Sequence, residues 1–223
     1  MGSTFAKVLP LALGAAVSPV ILLLQVATLA SPRFPVRRAL IVLVATALVV
    51  VGVMAAVVVT DHAAAEVPRS DTIVGGWIKV VLAIVLLAVA VHAALAPAPE
   101  ERAPPSGADA ADAPLHAVRY FALGAGAMLT NLTTIVLLVP ATRDAATADL
   151  SSGDRLVVLG VVFVITLLPA YAPLLVLAAM GRRGPTALAS LSRWLRGHHK
   201  AVTVVVSLGF SLYLGISGYV ALA

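Results

Sequence analysis

The feature that most limits what this chain can fold into is a set of six apolar runs. They occupy residues 8–32, 39–60, 74–95, 120–142, 156–180 and 201–223, and Lys79 is the only Asp, Glu, Lys or Arg inside them. Crossing the hydrocarbon of a bilayer takes about 20 apolar residues as a helix, and each run is long enough. Their Leu, Val and Ala show no sustained alternation, which argues against the dyad pattern of barrel strands. The expectation is therefore an all-α membrane protein with six transmembrane helices. Lys79 lies near one end of its run, where its stem could snorkel to the interface.

Composition agrees. Of 223 residues, 61% are hydrophobic and 11% charged, with a mean hydropathy of +1.06. A soluble domain of this length carries about a quarter charged residues. The first run is too long for the roughly 7–15-residue core of a signal peptide and has Pro19 in its middle, so it reads as a retained span. The net charge of +5 does not point to nucleic acid, because the basic residues are few and dispersed without aromatic interleaving. With no cysteine there is no disulfide, thiol nucleophile or thiolate site. His62 with Glu66, and His198 with His199, have loop or basic surroundings that do not suit a metal, and no metal or cofactor is expected.

The basic residues do indicate topology. Arg33, Arg37 and Arg38 sit between the first two runs, and Arg182, Arg183, Arg193, Arg196 and Lys200 between the last two, with no acid in either connection. By parity these connections lie on the side of the third-to-fourth connection, which gives that side ten basic residues. The other side has five, beside six acids. The positive-inside bias places the richer side in the cytoplasm and both termini outside the plasma membrane.

The connections differ in kind. Residues 97–116 are rich in Pro, Ala and acids and read as a disordered cytoplasmic linker between a first half, 1–96, and a second, 117–223. Near 185–197, Leu188, Leu191, Trp194 and Leu195 share one helical face, largely opposite Arg193, Arg196 and His198. That pattern suits an interfacial helix, with Arg182, Arg183, Arg193 and Arg196 holding lipid head groups. A loop helix packed on the bundle fits equally well.

A shift of 112 residues lays the fourth run on the first. Lys7 meets Arg119, Gly14 meets Gly126, Ala15 meets Ala127 and Ser18 meets Thr130, and Gly14 and Gly126 would allow the two spans to approach closely. Three spans per half would invert one half relative to the other, so a 3+3 inverted repeat is expected, with any substrate site near the midplane where the halves meet.

Gly14-Ala-Ala-Val-Ser18-Pro19, Ser31-Pro32-Arg33, Trp77-Ile78-Lys79, Asn131, the prolines of the fifth run and Arg193-Trp194-Leu195 together resemble the GAP-type proteins. These are the glycopeptidolipid- and sulfolipid-addressing (Sap) proteins of actinobacteria, grouped with the lysine-exporter superfamily. The resemblance implies a six-span, transporter-like protein for export of cell-envelope glycolipids or other small molecules. Where that family commonly has Asn-Pro-Lys, this chain has Asn131-Leu132-Thr133.

The candidate substrate-binding residues are the polar and helix-breaking groups inside the runs. Ser18 and Pro19 break the first span, and the proline frees backbone carbonyls. Thr130, Asn131 and Thr134, with Thr133, form the most polar cluster within any run. Gln25 raises the same question nearer the cytoplasm. An unpartnered buried amide costs roughly 2–7 kcal/mol, so these groups either bond neighbouring helices or line a cavity. Pro169 and Pro173 are candidate hinges, with Tyr171 on the stretch they interrupt. Ser207, Ser211 and Gly215 recur every four residues, the spacing of close helix packing.

There is no Walker sequence, no Gly-x-Ser-x-Gly and no paired carboxylate in a span, so an enzyme is not expected. The expectation is a transporter whose partners are membrane lipids and a glycolipid or small-molecule substrate. The alternative is a non-transporting scaffold in a lipid-export complex. Homo-oligomers fit either reading.

Overall fold

The computed structural model describes residues 2–31, 33–64, 71–95 and 117–222, and the expected linker at 97–116 lies outside them. Among the described residues all regular structure is helical: α1 (Gly2–Ala16), α2 (Pro19–Leu29), α3 (Pro35–Ala64), α4 (Asp71–Leu95), α5 (Ala117–Leu129), α6 (Leu132–Ala146), α7 (Ser152–Thr166), α8 (Leu168–Met180) and α9 (Gly184–Leu222), with a 3₁₀ turn at Gly181–Arg183. Two helices, at Pro35–Thr60 and Ala201–Val220, are each long and apolar enough to cross a bilayer. The number rises to five if each of three bent pairs is one crossing: α1 with α2 (49°), α5 with α6 (69°) and α7 with α8 (68°).

The local chemistry explains the first break. Ser18 is extended and caps α2, accepting a hydrogen bond from the Ile21 amide at 3.3 Å, and Pro19 follows at the first helical position. A hydroxyl cap followed by proline is a helix-start signal, so the chain restarts here at a new angle. At the second break Asn131 stands in the same cap position before α6, without capping through its side chain. The third break falls at Leu167. It lies upstream of the residues expected to make it: Pro169 sits at the start of α8, and Tyr171 and Pro173 lie within that continuous helix. Proline is tolerated in a first turn, where no helical partner is lost, so it marks the restart and not the bend.

The breaks divide the bundle into two levels. On one level α1 packs against α6 and α7; on the other α2 packs against α8 and, less extensively, α5. The unbroken α3 runs past both, against α5 and α6. Its pairing with α5 is parallel: Arg38 lies over Tyr120, and a Cβ on Gly124 would come within 2.8 Å of the Val42 carbonyl oxygen. α4 and α9 form the most extensive pair and run antiparallel, with Ser211 donating to the Ala83 carbonyl at 2.8 Å and Gly218 against Gly76 and Val80. The small-residue face of the last helix is thus filled by α4. The two halves begin alike with a broken helix, but the second half breaks again where the first has the continuous α3.

Three expectations need correction. Lys79 does not simply reach for the interface: its Nζ lies 3.5 Å from Asp144 in the last turn of α6, both side chains 21% exposed. The segment at 185–197 is not a separate helix but the first part of the 39-residue α9. At 1.5 Å per residue α9 is about 58 Å long, nearly twice a hydrocarbon core. Its expected apolar face is split, since Leu188 is buried while Leu191 and Trp194 are exposed, and Trp194 stacks on His198; Ser192, outside that face, is buried with Leu188. Finally, the glycines at the repeat do not bring α1 and α5 together. Gly14 receives the Phe210 ring of α9, and Gly126 has nothing within 4 Å of a Cβ.

The packing is that of a helical bundle turned toward an apolar solvent. Leu11, Ile21, Leu86, Leu137 and Leu138 are fully enclosed, yet Val44, Leu48, Ile84, Leu175, Val205 and Leu212 are exposed on helices with no polar face. Apolar surface of that extent is stable in lipid and not in water.

Candidate functional site

The two capped breaks meet. The Asn131 Nδ2 donates to the Ser18 Oγ at 2.6 Å, joining positions 113 residues apart. One helical turn on, the Thr134 hydroxyl donates to the Ala15 carbonyl at 2.9 Å. These bonds tie α6 to α1 beside the first break. Ser18 is 4% exposed, so its oxygen serves two donors, the Ile21 amide and Asn131, and its own proton remains to be given.

Beside the Ser18–Asn131 contact lies a cavity of about 620 Å³ that is half open to the surroundings, with Val17, Val20 and Leu132 exposed along it. Pro19, Thr130, Asn131 and Thr133 contribute from the breaks, His92 from α4 and Thr203 from α9, and the remaining wall is mostly Val, Ala and Leu. Among the described residues no carboxylate lines it. Thr130 back-bonds to the Gly126 carbonyl at 2.8 Å, leaving its oxygen able to accept. The wall therefore offers a few neutral donors and acceptors on an apolar background, which is the usual make-up of a small-molecule site, and its volume is in the usual range of about 300–1,000 Å³. Among the expected residues, Pro19, Thr130 and Asn131 line this cavity, with Ser18 and Thr134 bonded at its edge.

The others lie elsewhere. Gln25 is fully buried between α2, α3 and α8, where its Nε2 donates to the carbonyls of Ala39 at 3.0 Å and Ala170 at 2.6 Å. Two acceptors fix the amide orientation and leave Oε1 without a partner. Gln25 is thus a clasp between three helices. Tyr171 is half-buried against the core, and Pro169 and Pro173 are buried in α8. Arg182 and Arg183 occupy the 3₁₀ turn before α9, and Arg193 and Arg196 lie along α9; the side chains of Arg183 and Arg193 are exposed. Among the described side chains, none of Gln25, Tyr171, Pro169, Pro173, Arg183 and Arg193 lines the cavity.

His92 and Thr203 line the cavity as well, although neither belongs to a polar cluster in the sequence. Neither adjoins another polar residue in its run, and the antiparallel pairing of α4 with α9 carries both to the cavity. Their nearly constant index sum with other contacts, such as Ser211 with Ala83, is a signal that becomes visible once that pairing is known.

The family model for SfLAP, described as Sap, sulfolipid-1-addressing protein, matches residues 8–219. No curated protein and no solved structure matches the chain. A match over nearly the whole length, together with its apolar helices, makes this chain a membrane protein of the Sap, sulfolipid-1-addressing protein, family.

Proposed function

We propose that this protein is a non-enzymatic membrane transporter for cell-envelope glycolipids or related small molecules, and that the cavity at the helix breaks is its substrate site. The observation that carries this reading is the Asn131–Ser18 hydrogen bond between two interrupted helices, set against an apolar cavity with neutral polar groups. Broken helices that meet near the middle of a bundle are where transporters expose backbone and side-chain polar groups to substrate. The family description, with its reference to sulfolipid addressing, supports the lipid class of cargo.

In this reading each bent pair is one crossing and α4 is the sixth, giving six spans with the end that carries Arg38 in the cytoplasm and both termini outside. The halves are an inverted repeat whose axis passes near Ser18 and Asn131. The basic residues before and along α9 rest on anionic lipid head groups. A neutral sugar hydroxyl suits Asn131, which donates and accepts without a buried charge. A cavity of 620 Å³ takes a head group and not a whole glycolipid, so the acyl chains would stay among the lipid-facing helices. A scaffold reading would use the small-residue face of α9, but α4 occupies that face.

The test is flux of labelled glycolipid in proteoliposomes containing the wild-type chain or Asn131→Leu. Transport by wild type and a loss of at least about tenfold in the variant are expected, the loss corresponding to about 1.4 kcal/mol at the site. Stability should fall by only about 1 kcal/mol, because leucine removes the amide together with its need for a partner. Full flux in Asn131→Leu would remove the site, and absent flux in the wild type would remove the transporter.

A further inference from the structure

Away from the cavity, Arg38 is the most buried charge of the described residues. It is 1% exposed, one turn into α3, and its Nε and Nη1 have no hydrogen-bond partner. Its guanidinium carbon lies 5.0 Å from the centre of the Tyr120 ring, whose face is electron-rich. A guanidinium does not deprotonate in proteins, so this charge persists in the folded state. Burying it without an anion costs several kcal/mol, and a tyrosine face returns about 2 kcal/mol at best.

The surroundings add positive potential. α3 and α5 are parallel, so both helix N-termini point to this end, and Arg38 and Tyr120 are each the fourth residue of their helix. Arg37, stacked over Phe34 at 5.5 Å, and Arg119 are exposed and directly precede Arg38 and Tyr120 in sequence. Phe34 holds a left-handed backbone (φ 52°) at the entry to α3, where its carbonyl accepts from the Arg38 amide. Gln25, bonded to the neighbouring Ala39 carbonyl, does not neutralise Arg38. Among the described residues the acids lie at the far end: Asp144 pairs with Lys79, Asp149 and Asp154 follow α6, Asp71 begins α4, and Asp61 lies 23 residues, about 34 Å, further along α3.

We propose that the paired N-termini of α3 and α5, with Arg38 as anchor, form a binding site for a phosphate group at the surface of the bundle. Two parallel helix N-termini and an unpartnered guanidinium are complementary to a phosphate oxyanion, which accepts several charge-assisted hydrogen bonds at once. The phosphate belongs either to an anionic phospholipid head group or to free phosphate. Arg38 is 1% exposed, so binding requires the first turns of α3 and α5 to part enough to admit the phosphate. The site is separate from the Asn131 cavity and stands whether or not that cavity carries substrate.

The experiment is thermal unfolding of the delipidated full chain in neutral detergent, titrated with phosphatidylglycerol, phosphatidylcholine or inorganic phosphate. Phosphatidylglycerol should raise the midpoint by about 3–5 °C at tenfold excess over its Kd, and phosphatidylcholine should not. An equal rise with inorganic phosphate assigns the site to free phosphate; a rise with the lipid alone assigns it to the head group. Arg38→Gln should lose the rise and Arg37→Gln should keep it. If Arg38→Gln does not fold, Arg38→Lys, which keeps the charge without the planar fork, should retain less than half. No rise with either phosphate source, or an undiminished rise in the folded Arg38 variant, overturns the proposal. So does a rise that appears only after Glu100, Glu101, Asp109 and Asp112 are neutralised, since the chain's own carboxylates would then be the partner.

Discussion

Gly124 and Gly126 differ by one turn's fraction of position and by everything that surrounds them. A methyl on Gly124 would meet the backbone of α3, 2.8 Å from the Val42 oxygen, while one on Gly126 would meet nothing. Overpacking against rigid backbone costs about 1–3 kcal/mol, whereas alanine in an open helical position gains up to about 1 kcal/mol over glycine. Gly124→Ala should therefore lower the unfolding midpoint and Gly126→Ala should leave it unchanged or raise it. The opposite order would mean that α3 and α5 do not pack as described. The sequence pattern pointed to the wrong glycine, because a small residue is visible in a sequence and its neighbour is not. Ser18 and Asn131 were legible, since polar groups inside apolar runs must find partners. The burial of Arg38 was hidden by reading it as loop charge, although Pro35, at the start of a helix, already placed it one turn inside.

Among the elements, α8 carries the sharpest test of which residues bend a helix. The 68° angle lies at Leu167, and Pro169 and Pro173 follow it inside α8. Proline at 173 removes the amide that the Pro169 carbonyl would otherwise meet, which loosens the first turn after the bend. Pro169→Ala with Pro173→Ala should leave a folded protein and, on the proposed transport reading, reduce flux several-fold, because the added backbone donors would stiffen a segment that the proposed cycle needs to open. Unchanged flux in liposomes would make the prolines purely architectural. The existence of α7 and α8 as one interrupted apolar run was readable from hydropathy. The site of interruption was not, because proline at a helix start looks in sequence like proline at a kink. The fusion of 185–197 with the last apolar run was missed for a related reason: Gly197 and the histidines after it suggest a boundary, and packing of Leu188 and Ser192 carries the helix through.

For the molecule as a whole, the contact of Arg38 with Tyr120 and the ion pair of Lys79 with Asp144 mark opposite ends of the bundle. Orientation follows if the arginine-rich end is cytoplasmic. The chain contains no cysteine, so Arg37→Cys and Arg193→Cys can be labelled singly. An impermeant thiol reagent added to intact cells should leave both unmodified until the membrane is permeabilised; labelling from outside would reverse the topology. The measurement closest to the central claim places the thiol in the cavity itself. Thr133 lines it without a hydrogen bond that the fold requires, whereas Leu137 is enclosed in the core on the same helix. Thr133→Cys in proteoliposomes should react with a small water-soluble thiol reagent, react more slowly when glycolipid substrate is present, and lose flux once modified, while Leu137→Cys stays unreactive. Modification of Thr133→Cys that is indifferent to substrate and leaves flux intact would contradict the account.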